Sequence, residues 1–234
     1  MPPFTYQVLR TKKLSANLSL SIHPEKGVVV KAPFWLPDIA IRKFVEAKTD
    51  WIQNHLQKIE QKKVKEKEYT HGEKHLYFGK EHDLVVSHSE TPQRTKVVVV
   101  GESLQVSVFS GHSGEARTRE IKEALLRLYL ETGIEYITER VNYYSGLLGV
   151  EYSQIDIKKV SSIWGSCSSK NKLCFNRKLI MAPKEIVDYV IIHEVSHMVH
   201  RDHSSRFWAQ VARLDKNFRE HRHWLKQNHS LLSI

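Results

Sequence analysis

His193, Glu194 and His197 stand in the run "VIIHEVSHMVHRDHSSRFW", Val190 to Trp208. Residues four apart on a helix share a face, one turn apart. His193 and His197 can therefore aim two imidazoles at one ion. Glu194 is turned by about 100° from His193, which sets it beside such an ion as a general base. This is the H-E-x-x-H arrangement of two metal ligands and a base. Catalytic zinc usually takes three protein ligands and keeps one position for water, so a third ligand is wanted. His200 and His203 are the candidates. Along a straight helix the Cα of His200 would lie about 10 Å from that of His193, and three ligands strung so far apart surround a tetrahedral ion poorly. His203 follows Arg201-Asp202, where a helix can end and the chain turn back; it is the expected third ligand. His200 is expected to line the cleft or touch substrate. The bland alternative is a set of core or capping histidines, and a chain with 14 histidines holds accidental pairs. The adjacent glutamate, the apolar surroundings and the third histidine favour a metal. Three imidazoles suit zinc; Mn, Co or Ni would also bind. A carboxylate-ligated iron site is disfavoured, because Glu194 faces away from the ligand pair.

The elements that must position these residues are legible around them. Pro183 suits a first helical turn and Glu185 the positive end of the dipole. Val187, Val190, Ile191, Ile192, Val195, Met198 and Val199 then occupy nearly every direction around the axis. A helix apolar all round is buried, and buried polar groups on it need satisfaction. Upstream, "KLCFNRKLIMAP" reads as a strand leading into that helix. Its span from Leu173 to Ile180 could hold an extended peptide by main-chain pairing. A long helix opens after "SGHSG", with Ile121, Leu125, Leu128 and Tyr129 on one face. Ile134, Ile137 and Val141 continue the pattern to a stop near Gly146 to Gly149. Before it come "HLYFGKEHDLVV", "TKVVVV" and "SLQVSVF", with a hairpin turning at Gly101-Glu102. The N-terminal third offers the strands "YQVLR", "NLSLSIH" and "GVVVKAP", with Leu18, Leu20 and Ile22 alternating as in a half-buried strand. One long helix is expected over about 38–66, capped by Asp38. Its stripe is Ile41, Phe44, Val45, Trp51, Ile52, Leu56 and Ile59, less one slot filled by Lys48. The fold class is α+β: a β-rich N-terminal region, 1–112, and a mainly helical part, 113–234, carrying the H-E-x-x-H helix.

Composition bounds the rest. The 234 residues suffice for one large domain or two small ones. The net charge of +10 attracts anions, nucleic acid among them, although a solvated basic surface with no such partner fits equally. Two cysteines, Cys167 and Cys174, are too few for a disulfide scaffold and read as free thiols of a reducing compartment. The N-terminus has no signal-peptide core, and no apolar run could span a bilayer. A cytoplasmic protein with no membrane partner is expected; the oligomeric state is open.

The stretch "SIWGSCSSKNKLCFNRKLIMAPKEIVDYVIIHEVSHMVHRDHSSRFW" resembles the YgjP-like (DUF45) metal-dependent hydrolases, a zincin-like group related to the WLM and SprT-type metallopeptidases. The W-G-S-C-S segment Trp164 to Ser168, the H-E-x-x-H-x5-H spacing and the H-S-x-x-F-W that follows carry the likeness. "GVVVKAP" and "DWIQNHL" extend it towards the N-terminus. The resemblance implies a zincin-like fold, zinc on His193, His197 and His203, and Glu194 as general base. Two places depart from it: Ile163 stands where an Arg commonly precedes the Trp, and Phe175 and Arg177 flank Asn176 where N-W-R is common. If that Arg contacts substrate, specificity here differs. His200, Arg177 and Trp164 are candidate cleft or substrate contacts; Tyr189 joins Arg177 and His200 as a candidate oxyanion donor. Cys167 as a fourth ligand would close the site to water and make it structural. His200 in place of the metzincin glycine, and no methionine after Met198, argue against a true metzincin.

The leading reading is a zinc-dependent hydrolase, a metallopeptidase acting on peptide substrate through metal-activated water. The alternative is a metal-dependent nucleoside triphosphate pyrophosphatase, taking UTP to UMP and diphosphate for example. A third is a basic nucleic-acid-binding or adaptor protein with structural zinc. Glu194→Gln separates the enzymes from the adaptor.

Overall fold

The computed structural model describes residues 3–12, 17–23, 27–61, 67–160 and 163–232. Its contacts divide the chain into Met1–Val64 and Lys65–Ile234. In the first unit β1 (Tyr6–Thr11), β2 (Ser19–His23) and β3 (Gly27–Pro33) form a sheet of order β1-β3-β2. β1 runs parallel to β3 and β2 antiparallel to it. Leu18, Leu20 and Ile22 all pack on the core of Val28, Val30 and Ala32, as their alternation requires. The single helix expected over 38–66 is instead two, α1 (Asp38–Glu46) and α2 (Thr49–Gln61); residues 62–66 lie outside the described residues. The break falls at the slot that interrupted the apolar stripe. An unbroken helix would turn Lys48 onto the buried face. Instead the Lys48 amide closes a tight turn on Val45 O at 3.1 Å, and Ile52 rejoins Ile41 and Val45 in the core. Pro37, not Asp38, takes the N-cap position; Asp38 accepts from Arg10.

The second unit begins with β4 (Lys74–Tyr77), β5 (Lys80–Ser89), β6 (Val97–Val100) and β7 (Ser103–Phe109), in the order β4-β5-β7-β6. The Gly101-Glu102 turn joins β6 and β7 as an antiparallel hairpin. The long helix α3 (Gly114–Leu148) follows and ends at Gly149 in the left-handed conformation. Ile121, Leu125, Tyr129, Ile137 and Val141 are buried, whereas Ile134 is exposed and leaves the expected stripe. β8 (Gln154–Lys158), β9 (Gly165–Cys167) and β10 (Lys172–Asn176) form a small sheet of order β8-β10-β9. A 3-10 turn, Arg177–Met181, leads to α4 (Lys184–Ser196), α5 (Ser205–Leu214) and α6 (Phe218–Asn228).

Leu84, Leu104 and Val106 of the four-stranded sheet share one core with α3 and with Val187, Ile191 and Val195 of α4. A boundary at 112/113 cuts that core; the contacts place the division at 64/65, because the second sheet needs α3 to cover its apolar face. Main-chain bonds tie the same sheet to the approach of α4: Phe78 N donates to Ile180 O at 2.7 Å and Gly79 N to Met181 O at 3.1 Å. Gly79 has φ +77, and a Cβ there would lie 2.5–2.8 Å from Pro183. Only glycine lets β4 and β5 turn this close to the start of α4. No helix among the described residues is long and apolar enough to cross a membrane.

Asp188 fixes α4 against α3. Its carboxylate accepts from Arg140 Nη2 at 2.6 Å, from Tyr136 Oη at 3.1 Å and from Tyr144 Oη at 3.1 Å. The Arg140 and Asp188 side chains are 24% and 18% exposed. Removing one partner of such a pair leaves the other charge and two phenols short of acceptors. Asp188→Asn is expected to cost on the order of 2 kcal/mol, read as a lower denaturant midpoint at unchanged m-value. An unchanged midpoint would mean that apolar packing alone seats the helix.

Candidate metal centre

The sequence expects one helix to run through His200. The structure ends α4 at Ser196, with His197 as its C-cap, and residues 197–199 form a turn. The chain then reverses. Ser204 caps α5, its Oγ accepting from Phe207 N at 3.5 Å. This reversal carries His203 back over the end of α4. Phe207 and Trp208, the F-W of the motif that follows His203, support all three imidazoles. Phe207 stacks on His197 with ring centroids 4.4 Å apart and meets His193 and His203 edge-on at 5.0 and 4.9 Å. Trp208 stacks on His203 at 5.7 Å.

The ring nitrogens of His193, His197 and His203 that could ligate a metal all lie within 4.8 Å of one another. Nε2 of His193 and Nε2 of His203 are 3.1 Å apart. Two nitrogens each about 2.0–2.1 Å from a tetrahedral zinc sit roughly 3.3 Å apart, so the pair already has close to the right separation. His197 Nδ1 is 3.1 Å from His200 O. A carbonyl only accepts, so Nδ1 carries the proton and Nε2 keeps the lone pair a metal needs. Burial and the neighbouring imidazoles push His193 down to about 3; burial also lowers His197. Both rings are therefore neutral near pH 7, the form that ligates. The donor set fits zinc. His200 joins the cluster only through that carbonyl; its side chain lines a shallow surface depression with Arg201 and Asp202. Cys167 lies outside the cluster, with Sγ 3.6 Å from Arg201 Nη1. Among the described residues no thiolate or carboxylate completes the three-histidine group.

Glu194, one position past His193, is 6% exposed. It faces a recess of about 220 Å³ lined by Ile163, Trp164, Gly165, Tyr189, Val190, His193 and Leu225. Burial pushes its carboxyl up to about 8 in the metal-free chain. The backbone of β9 presses on this side chain. A Cβ built on Gly165 would lie 2.7 Å from Glu194 Cγ and 2.8 Å from Oε1. Of the other candidates, Trp164 lines the recess and meets His229 edge-on at 5.2 Å. Arg177 does not line it; it opens the 3-10 turn, and its buried Nε has no partner among the described residues. Tyr189 lines it with its ring 6.1 Å from His193, and burial pushes its phenol up to about 12. The strand expected to hold a peptide, β10, is central: β8 pairs with one side and β9 with the other. The edge of that sheet nearest Glu194 is β9. Sequence reasoning missed Gly165, although a glycine within a strand signals close backbone approach. For Leu225, far along the chain on α6, no local signal existed.

Two solved structures overlap part of the chain. The metallopeptidase zymogen of Pyrococcus abyssi abylysin is 19% identical, over 38% of this chain and 93% of that one, with a TM-score of 0.35. The zymogen of Methanocaldococcus jannaschii jannalysin is 22% identical, over 39% and 94%, with a TM-score of 0.36. No curated protein matches the chain. The family model described as YgjP-like, metallopeptidase domain, matches residues 16–228, nearly the whole sequence, and the chain belongs to that family.

Proposed function

We propose that the chain is a zinc-dependent peptidase in which His193, His197 and His203 hold the ion and Glu194 is the general base. The observation that carries this reading is the three-imidazole cluster with a buried carboxylate one residue past His193, the two lining one recess together. Zinc, when bound, supplies Lewis acidity and lowers the pKa of water towards neutrality. The chain's own residues supply the rest. Glu194 takes a proton at its carboxylate and returns it to the leaving amine. Tyr189 keeps its phenolic proton at neutral pH and can donate it to a substrate oxygen. Edge strand β9 offers main-chain groups to an extended peptide. The recess is smaller than the roughly 300 Å³ at which pockets for drug-sized ligands begin, and its lining has no lysine or arginine. It suits a side chain better than a nucleoside triphosphate.

The test is a metal analysis of the purified protein, followed by peptides, denatured proteins and nucleoside triphosphates, with products read by mass spectrometry. Amide cleavage should vanish with a chelator and return with zinc. Diphosphate release without amide cleavage would make the protein a pyrophosphatase. Turnover of neither substrate, with salt-steep polynucleotide binding, would make it a binder.

A further inference from the structure

The recess beside Glu194 has two chemistries on its walls. His193 and Glu194 form the reactive side. Ile163, Trp164, Val190 and Leu225 form an apolar side, contributed by the approach to β9, by α4 and by α6. Ile163 is 45% exposed, so it stands at the rim, where an incoming group meets it before the buried wall. No charged side chain other than Glu194 lines the space. An apolar group entering this recess removes both its own surface and that of Trp164 and Leu225 from water. A charged group entering it loses hydration and finds no partner on the apolar walls.

We propose that this recess is a specificity subsite, taking one apolar side chain, aliphatic or aromatic, of the residue beside the scissile bond, with Ile163 as the rim residue that sets the preference. The proposal rests on the peptidase reading and adds to it the class of residue the site takes. Its geometry follows from proximity: a side chain seated here stands next to Glu194, so its own main chain lies within reach of the reacting centre. A cation at this rim would attract acidic residues; isoleucine instead extends the apolar wall outward.

The experiment uses the zinc-loaded full chain in two arms. In the first, a peptide library randomised on both sides of the cleavage site is digested and the products sequenced. Leu, Ile, Met or Phe is expected on one side of the bond, at least about 10-fold preferred over Ala or Asp. Ile163→Arg should shift that preference towards Asp and Glu, and Ile163→Glu towards Lys and Arg. The exposure of Ile163 lets both variants fold, and their zinc content and circular dichroism are compared with the wild type. In the second arm, calorimetry measures binding of N-acetyl-leucinamide and N-acetyl-aspartamide to zinc-loaded Glu194→Gln. Tighter binding of the leucine compound, reversed by Ile163→Arg, supports the subsite whether or not turnover is seen. Cleavage with no preference, or a preference unmoved by both rim variants, would overturn the subsite and leave the peptidase standing. No peptide cleavage, with the leucine compound still preferred, would overturn the peptidase reading and keep the recess. Equal binding of the two compounds would overturn the recess.

Discussion

Glu194→Gln is expected to lower peptide turnover by about 10²–10⁴-fold with zinc content unchanged. Glutamine keeps the size and polarity of the side chain but cannot take up a proton. The three histidines do not depend on Glu194, which lies outside their cluster, so metal retention separates loss of the base from loss of the site. The same substitution has a second effect, on the chelator-treated protein. In the metal-free fold burial moves the Glu194 carboxyl from its ordinary 4.5 up to about 8. Between those values the folded state holds a proton that the unfolded chain has released, so this group's contribution to stability falls as pH rises. By pH 8 the loss is on the order of 4 kcal/mol. His193 acts in the opposite sense: its folded pKa is lowered to about 3, so its contribution improves as pH rises towards its ordinary 6.5. Both proteins carry His193, so their difference isolates the glutamate. Glu194→Gln should match wild type near pH 4.5 and grow progressively more stable than it up to pH 8, in denaturant titrations at fixed pH. Parallel curves for the two proteins would show that the carboxylate is solvated in solution and that the recess is open to water.

What the sequence made legible was local and periodic. His193, His197 and their glutamate could be read because a helix converts spacing into direction, and His203 because Arg201-Asp202 offered a place to reverse. The Leu18, Leu20, Ile22 strand and the Gly101-Glu102 hairpin followed from equally short patterns. The errors lie where tertiary packing decides. Lys48 was an anomaly in a stripe, and only the cost of burying an ammonium turns that anomaly into a helix break. The 112/113 division followed a change from strands to helix, but Leu84, Leu104 and Val106 of the four-stranded sheet share one buried core with α3 and α4. The carbonyl of His200 that orients His197 has no counterpart in a helix continued through His200, because a helical carbonyl there would be turned along the axis. The wall of the recess is assembled from segments as distant as Ile163 and Leu225, and composition says nothing about which distant side chains meet.

Gly165→Ala tests the nearest of those meetings. Gly165 does not adopt a positive φ, so alanine is acceptable to its backbone and the added methyl acts only through what it touches. It would lie 2.7–3.0 Å from three atoms of the Glu194 side chain, closer than carbon and oxygen tolerate. β9 is held by its pairing with β10, and α4 is buried and tied to α3 through Asp188. The mobile partner is therefore the carboxylate, which swings away while both elements stay in place. Displacement of a catalytic group by about 1 Å can cost 10²-fold in rate, so turnover should fall by roughly that factor with zinc content kept and the unfolding midpoint little changed. The decisive measurement is a cycle with Glu194→Gln. If Gly165 acts by positioning the base, alanine should cost far less in the glutamine background, because both changes act through one side chain. Equal losses in the two backgrounds would mean that Gly165 serves the substrate or the fold by another route, and the close approach of β9 to Glu194 would then carry no catalytic meaning.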